Sequence, residues 1–336
     1  MLKNIREHWP EHELHLVCRE GLGALLKQLG LIDFYYEIKK RDSESYQKIR
    51  VQVQSIQFER IFCPHQSLRS ALFVKELKSK LKIGYKNWWS FLFFDVYQPR
   101  DKNLPDALRQ LSLLSQDSGK IAEKLKKYSE NNSIDRLGEV PEWAKMTSTE
   151  QIPSQAGEFL GLNCVTKTIA IFPGSVWPTK QWTLEGFIQI GRFFCSQNLQ
   201  VVLLGGVAEK SLAAQIEQAV PAIKNLVGQT NLIQTLSVLK NCELVISNDS
   251  GGQHLASVAE IPTLSIFGPT VLSLGYRPWN SYAQVIEVEG MPCRPCGKHG
   301  HKKCPLGTHA CMKELSAEKV ISAIQKLNPN LYNPSR

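Results

Sequence analysis

Residues 243–267 constrain the fold of this chain more tightly than any other stretch. Glu243–Ser247 is a strand-like stretch with Leu-Val-Ile at its centre, Asn248-Asp249-Ser250-Gly251-Gly252 is polar and glycine-rich, and Thr263–Phe267 is largely apolar again and runs into Phe-Gly-Pro-Thr270. The order reads as a buried strand, a turn, a helix over about Ser250–Ala259 and a second strand, with the polar turn at a strand's carboxyl end. Open parallel sheets bind ligands at that end. Asp249 stands where a helix N-cap belongs, and the amides of Ser250, Gly251 and Gly252 are the unpaired donors of a helix start, a natural seat for phosphate. A turn that only caps its helix satisfies the same pattern, so the neighbouring motifs must decide.

Three further stretches accompany it. Thr168 opens the run Thr-Ile-Ala-Ile-Phe-Pro-Gly-Ser-Val-Trp-Pro-Thr-Lys-Gln-Trp, Val201 opens Val-Val-Leu-Leu-Gly-Gly-Val-Ala-Glu, and Asn225 opens Asn-Leu-Val-Gly-Gln-Thr. In this order the four stretches resemble the heptosyltransferases of lipopolysaccharide core assembly, glycosyltransferase family nine. The likeness is strong over residues 168–275 and weaker over 12–115, where Cys63-Pro-His-Gln-Ser-Leu-Arg-Ser-Ala71 is similar to the family's acceptor-side turn.

The resemblance implies an α/β chain of GT-B architecture, two Rossmann-like doubly wound domains facing a cleft. Residues 1–150 would bind the acceptor, and residues 166–336 a nucleotide sugar. It also implies an inverting, metal-independent transfer of heptose from ADP-heptose to the inner core of lipopolysaccharide, with no cofactor. Lys180 is the implied catalytic residue, meeting the leaving diphosphate, with Ser175 adding a phosphate hydrogen bond. Glu209 would face the ribose and Asp249 the sugar hydroxyls, while Ser250, Gly251 and Gly252 bring backbone to the phosphates. His254 lies nearby, either as a ligand contact or as a capping or packing histidine. His65, Gln66 and Arg69 are implied on the acceptor side. Plain alternatives stand beside three of these: a surface lysine at a helix start, an exposed glutamate and a helix-face arginine.

The alternation of elements agrees with parallel α/β structure. Strand patterns fall at His12–Cys18, Phe34–Ile38 and Glu59–Cys63, and helical patterns near Gly21–Leu29, Ser43–Gln54, Ser67–Lys80 and Pro105–Tyr128. Ser129–Lys167 has linker composition. Strands follow at Ile169–Phe172, Gln200–Leu204, Asn225–Val227, Leu244–Ser247 and Thr263–Phe267, with a last helix near Ser316–Leu327.

At 336 residues and 43% hydrophobic content, two globular domains are expected. The nearest approach to a long apolar run, Trp88–Val96, is broken by Ser90 and Asp95 and is far short of the roughly 20 residues of a membrane span. Residues 1–30 carry His8, Glu11, Glu13 and Arg19 in place of an apolar leader core, so a cytoplasmic protein is expected. Forty Lys and Arg against 31 Asp and Glu leave +9, concentrated in Lys39-Lys40-Arg41, Lys75 to Lys86 and Lys120 to Lys127. A solvated helix face accounts for the last run taken alone. The excess still suits an anionic lipopolysaccharide acceptor and an anionic leaflet, with peripheral contact at the inner face of the inner membrane. Nucleic acid is not an expected partner, because the aromatics do not interleave with the basic residues.

Cys293, Cys296, Cys304 and Cys311, with His299, His301 and His309 among them, form a second constellation. Four thiols at this spacing suit a structural zinc, or a Cys-rich loop without metal such as decorates this family. Cys18, Cys63, Cys164, Cys195 and Cys242 read as core residues.

One departure from the family pattern concerns the start. The family opens with a buried strand, a Gly-Asp turn carrying its proposed base, and a helix. Here Leu2-Lys-Asn-Ile-Arg-Glu-His-Trp-Pro10 resembles the end of that helix. The expectation is a native chain longer by on the order of 20 to 25 residues, with the base lying in them. If Met1 is genuine, a non-catalytic sugar-nucleotide or glycan-binding protein of the same fold becomes the better reading.

Overall fold

The computed structural model describes residues 1–39, 42–145, 152, 161 and 166–332; Cys164 and much of the expected linker lie outside them. The chain divides into two compact units, Met1–Ile134 and Asp135–Arg336.

Five strands of the first unit are β1 (His15–Arg19), β2 (Phe34–Ile38), β3 (Phe58–Cys63), β4 (Ser79–Tyr85) and β5 (Val96–Gln98). The helices that matter for packing are α1 (Leu2–His8), α2 (Gly23–Gln28), α3 (Ser43–Val53), α4 (Leu68–Glu76) and α5 (Gly119–Asn131). All pairings are parallel, but they form two sheets, β1-β2 and β3-β4-β5. Among the described residues β1 and β3 each keep one unpaired edge. A ring contact bridges the two sheets, His15 standing edge-on to Phe58 at 5.4 Å. Ile49, Val53, Ala71, Phe73, Val74 and Phe94 pack as one core cluster.

Two elements here differ from the sequence expectation. The helix expected to reach Lys80 stops at Glu76, because Leu77 turns extended (φ −80°, ψ 144°) and Ser79 starts β4. The lysines at 80 and 82 lie two apart in that strand; they are not part of a helical face. The helix expected over Pro105–Tyr128 breaks into Asp106–Arg109, a 3-10 segment Gln110–Leu114, and α5. Leu108, Leu111, Leu113 and Leu114 are all buried, which one face of a single helix cannot accomplish. Ser118 then restarts the chain as N-cap, accepting from the Ile121 N–H.

The second unit holds one six-stranded parallel sheet, built from β6 (Thr168–Phe172), β7 (Gln200–Leu203), β8 (Lys224–Asn225), β9 (Cys242–Asn248), β10 (Thr263–Phe267) and β11 (Ala283–Glu287). Its order is β11-β10-β9-β6-β7-β8. In chain order that is the 3-2-1-4-5-6 winding of dinucleotide-binding sheets. Connecting helices are α6 (Leu184–Ser196), α7 (Lys210–Ala219), α8 (Leu232–Lys240), α9 (Gly251–Val258) and α10 (Ala317–Leu327). Every residue of β6 and β10 is buried, as continuous apolar strands covered on both faces must be. Ile169, Ile171, Phe187, Phe194, Leu203, Ile246, Leu264, Ile266, Val320 and Ile324 share one core. β11, which the sequence reading missed, pairs with β10 at the sheet edge.

Candidate functional site

The winding reverses between β6 and β9, neighbours in the sheet that lead to opposite sides, so the crevice lies at their carboxyl ends. Asn248, wholly buried at the end of β9, ties the two ends together. Its amide donates to the carbonyls of Pro173 at 2.8 Å and Gly174 at 3.3 Å, and its oxygen accepts from the Trp182 N–H at 3.0 Å. The loop after β6 is thereby fixed, and with it the 3-10 turn Pro178–Lys180.

That turn delivers Lys180 to Asp249. The ammonium donates to Asp249 Oδ2 at 2.5 Å and reaches its carbonyl at 3.4 Å, with both residues buried. Thr270, just past β10, donates to the same oxygen at 2.6 Å, and Gln253 donates to Oδ1 at 2.9 Å. Asp249 is therefore a fully engaged acceptor that holds a buried cation in place. It is not the N-cap expected from the sequence. Ser250 occupies that position without a side-chain cap bond, because the Asp249 carboxylate is turned toward Lys180. The first amides of α9 thus lack a side-chain cap and carry the positive end of the helix dipole.

The glycines divide their work. A side chain at Gly252 would run into the Phe172 ring, so this glycine lets α9 lie against β6, while Gly251 faces open space. Gly174 is needed for a different contact: its missing side chain leaves the room that Glu209 fills. Glu209 follows β7 and rests over Gly174, Gly205 and Gly206, half-buried; its N–H donates to the Gly206 carbonyl at 3.1 Å, and its carboxylate makes no hydrogen bond or ion pair among the described residues. An acidic residue beyond the second strand of this winding is where a ribose is held in related sites.

Ser175 is half-buried in the loop that leads to Lys180; its hydroxyl accepts from the Trp177 N–H at 3.3 Å and its carbonyl from the Gln181 side-chain amide at 2.9 Å. The Ser250 hydroxyl lies 3.4 Å from that of Ser247, and His254 is exposed in the first turn of α9. His65, Gln66 and Arg69 lie in the first unit, exposed at the turn from β3 into α4. The His65 ring is within 2.7 Å of the Ser70 hydroxyl and 3.1 Å of that of Ser67.

The Cys-rich segment braces the Lys180 turn. Thr179 donates to the His301 carbonyl at 2.7 Å and accepts from the His301 N–H at 2.8 Å, and its carbonyl is 2.8 Å from the His309 ring. Arg294 donates to the Thr270 carbonyl at 2.6 Å and is paired with Glu287 at 2.5 Å. Cys293, Cys296, Cys304 and Cys311 are free thiols around one cavity of about 20 Å³. The backbone N–H of His309 lowers the Cys304 thiol, while burial pushes Cys311 up to about 11. Among the described residues no three His, Cys, Asp or Glu side chains stand where they would hold a metal ion. Sequence reasoning missed Asn248, Gln253, Thr270, Thr179 and Arg294. Thr270 ends the Phe-Gly-Pro-Thr stretch and Gln253 lies four residues from Asp249, so both were within reach, whereas the partnerships of Asn248, Thr179 and Arg294 span distances in sequence that no local pattern reveals.

A parallel sheet of this winding, with a lysine and an uncapped helix start at its switch point, defines a doubly wound α/β unit, and the chain matches solved structures of the GT-B class. It superposes over 97% of its length, and 92% of the other chain, on the E. coli ADP-heptose lps heptosyltransferase II, with TM-score 0.74 and 17% identity. Residues 46–306 match the family model Glycosyltransferase family 9 (heptosyltransferase), and the chain belongs to that family. Lipooligosaccharide heptosyltransferase 2 of Campylobacter jejuni is 36% identical over 169 residues, 48% of this chain. The match spans only 52% of that relative's own length. The Lipopolysaccharide core heptosyltransferase OpsX of Haemophilus influenzae aligns over 97% of this chain and 91% of its own, at 22% identity. Among the described residues no helix is long and apolar enough to cross a membrane.

Proposed function

We propose that the chain transfers heptose from ADP-heptose to the inner core of lipopolysaccharide, with inversion and without a metal. The observation that carries this reading is the buried Lys180–Asp249 pair beside the uncapped start of α9, in a family of heptosyltransferases. Residues 166–336 bind the donor in this reading and residues 1–150 the acceptor. Lys180 and the amides of Ser250, Gly251 and Gly252 receive the diphosphate, Ser175 adds a hydrogen bond, and Glu209 accepts from the ribose hydroxyls. His254 stands at the edge of this donor site.

The acceptor hydroxyl attacks the anomeric carbon, the bond from that carbon to the phosphate oxygen breaks, and ADP leaves with the electron pair. Positive charge already in place at the diphosphate lowers the barrier without reorganisation. Asp249 acts by positioning Lys180, since both its oxygens are already engaged. The base that takes the acceptor's proton is assigned to no described residue. His65, Gln66 and Arg69 line the acceptor side, and work at the cytoplasmic leaflet suits the basic first unit.

Calorimetry tests the donor assignment. ADP-heptose should bind, and Lys180→Ala and Glu209→Ala should each weaken it by roughly tenfold, the loss of one charged hydrogen bond. Transfer to a core acceptor should persist in a chelator. Wild-type affinity in both variants, or a preference for uridine or guanosine diphosphate sugars, refutes the assignment. Binding without transfer by the complete native protein favours the sugar-nucleotide-binding alternative.

A further inference from the structure

The apolar run at Trp88–Val96 takes no part in the donor site, and the structure gives it an unusual shape. Trp89 and Phe93 face inward onto the core that holds Phe94, and they meet edge to face at 5.6 Å. Trp88, Phe91 and Leu92 point out, with 86%, 64% and 51% of their surface exposed. The turn that displays them is tightly built. Ser90, wholly buried, donates to the Tyr85 carbonyl at 2.7 Å and accepts from the Asn87 N–H at 2.7 Å, and the amides of Phe93 and Phe94 return to the Ser90 carbonyl.

Lysines fringe it. Lys86 precedes the turn and is exposed; Lys75 lies over the Phe93 ring at 5.3 Å; Lys82 donates to the Lys75 carbonyl at 2.9 Å; Lys78 is exposed close by in the chain. The nearby acids are already engaged. Glu76 pairs with Arg50 at 2.6 Å, Glu59 with Lys80 at 2.6 Å, and Asp95 accepts from the Lys82 N–H at 2.7 Å. Leu68 and Leu72 are exposed one turn apart on α4, the helix whose Lys75 lies over the Phe93 ring.

We infer that the Trp88–Leu92 turn, with the outer face of α4 beside it, inserts into the interfacial zone of an anionic lipid bilayer. Tryptophan and phenylalanine on a rigid turn supply the apolar part, and the lysine fringe supplies attraction to anionic headgroups. The first unit has 23 Lys and Arg against 16 Asp and Glu, so it carries +7 of the chain's +9. A second copy fits less well, because a two-fold contact at this patch would set the lysine fringe against itself. The inference rests on the proposed function only for which leaflet is met.

The test is flotation of the full chain with phosphatidylglycerol–phosphatidylethanolamine vesicles, without donor or acceptor, so that it reads independently of transfer. Wild type should float with these vesicles and remain in the dense fraction with phosphatidylcholine alone, and added salt should release it. The triple variant Trp88→Ser, Phe91→Ser, Leu92→Ser should bind at least roughly tenfold more weakly, and Lys78→Gln with Lys86→Gln should lose about tenfold as well. Both should keep the wild-type circular dichroism and ADP affinity. Failure of wild type to float at low salt, or flotation of the triple variant like wild type, overturns the inference. So does a dimer in solution that the triple variant abolishes.

Discussion

The two units obey the same parallel α/β logic and differ in how completely they enclose it. In the second, β6 and β10 expose nothing, and the sheet runs unbroken across six strands. In the first, the sheet is in two pieces, and Val17, Phe34, Tyr35 and Tyr97 are each more than a third exposed. The ion pairs follow suit. Lys180–Asp249 is 2.5 Å long with side chains 9% and 4% exposed, whereas Arg6–Asp33 is 2.8 Å long at 27% and 38%. A closed sheet can keep a desolvated charge pair ready for a ligand. An open one keeps its charges in water, where each pair is screened.

The sharpest test of this contrast is to remove the carboxylates. Asp249→Ala leaves a buried ammonium unpaired and should cost about 3–5 kcal/mol, read by urea unfolding at pH 7. Asp33→Asn should cost at most about 1 kcal/mol, because its pair with Arg6 is screened by solvent. At Asp33 burial pushes the carboxyl up, but the Leu14 N–H and Arg6 outweigh it and hold the group below its ordinary value. A depressed carboxyl stabilises the fold above its unfolded-state value near 4 and loses that contribution as the pH falls through its lower folded value. The wild type should therefore show a small acid-side loss that Asp33→Asn lacks. An Asp249 variant no weaker than the Asp33 variant would break the contrast.

Core truncation comes next in size. Ile246→Ala in β9, fully buried, should cost about 2–5 kcal/mol, while Val17→Ala in β1, 37% exposed, should stay within about 0.5 kcal/mol. Hydrogen exchange sharpens the point. Amides of β6 and β9 should open only with global unfolding, and those of β1 by local opening, at rates higher by on the order of a hundredfold or more. Similar rates would mean that the first unit is better supported than its split sheet implies.

The same contrast explains what the sequence disclosed. Strands covered on both faces read as continuous apolar runs, so Thr263–Phe267 was placed to the residue, and β6, β7 and β9 to within two. The motifs of the second unit carried the family and its GT-B fold. β4 was hidden because lysines two apart, followed by Gly84, look like a helix end, and Pro105–Tyr128 because its leucines are buried on all sides. At the site, Lys180, Asp249 and Glu209 were legible as residue types at strand ends. That Lys180 and Asp249 pair with each other was not, since the partners are 69 positions apart. Nor was the brace by which Arg294 and His301 of the Cys-rich segment hold Thr270 and Thr179. Its function-free look in sequence reflects contacts made through backbone carbonyls, which leave no side-chain signature.

The smallest expected difference lies in two helix caps. Asn231 makes a full capping box with Gln234, both bonds being 2.9 Å, and Asn231→Ala should cost about 1 kcal/mol. Ser67 caps α4 through a longer bond of 3.3 Å to the Ser70 N–H, and its hydroxyl is shared with the His65 ring at 3.1 Å and the Ser70 hydroxyl at 3.0 Å. A divided hydroxyl caps less well, so Ser67→Ala should cost about 0.5 kcal/mol, measured in the same urea series. Its larger effect should be on His65, whose ring loses one of two holders and should show greater mobility by NMR relaxation. If Ser67→Ala instead costs more than Asn231→Ala, the turn bearing His65, Gln66 and Arg69 is as firmly built as the Asn231 turn of the second unit, and the enclosure of the sheet is not what sets the stiffness of its loops.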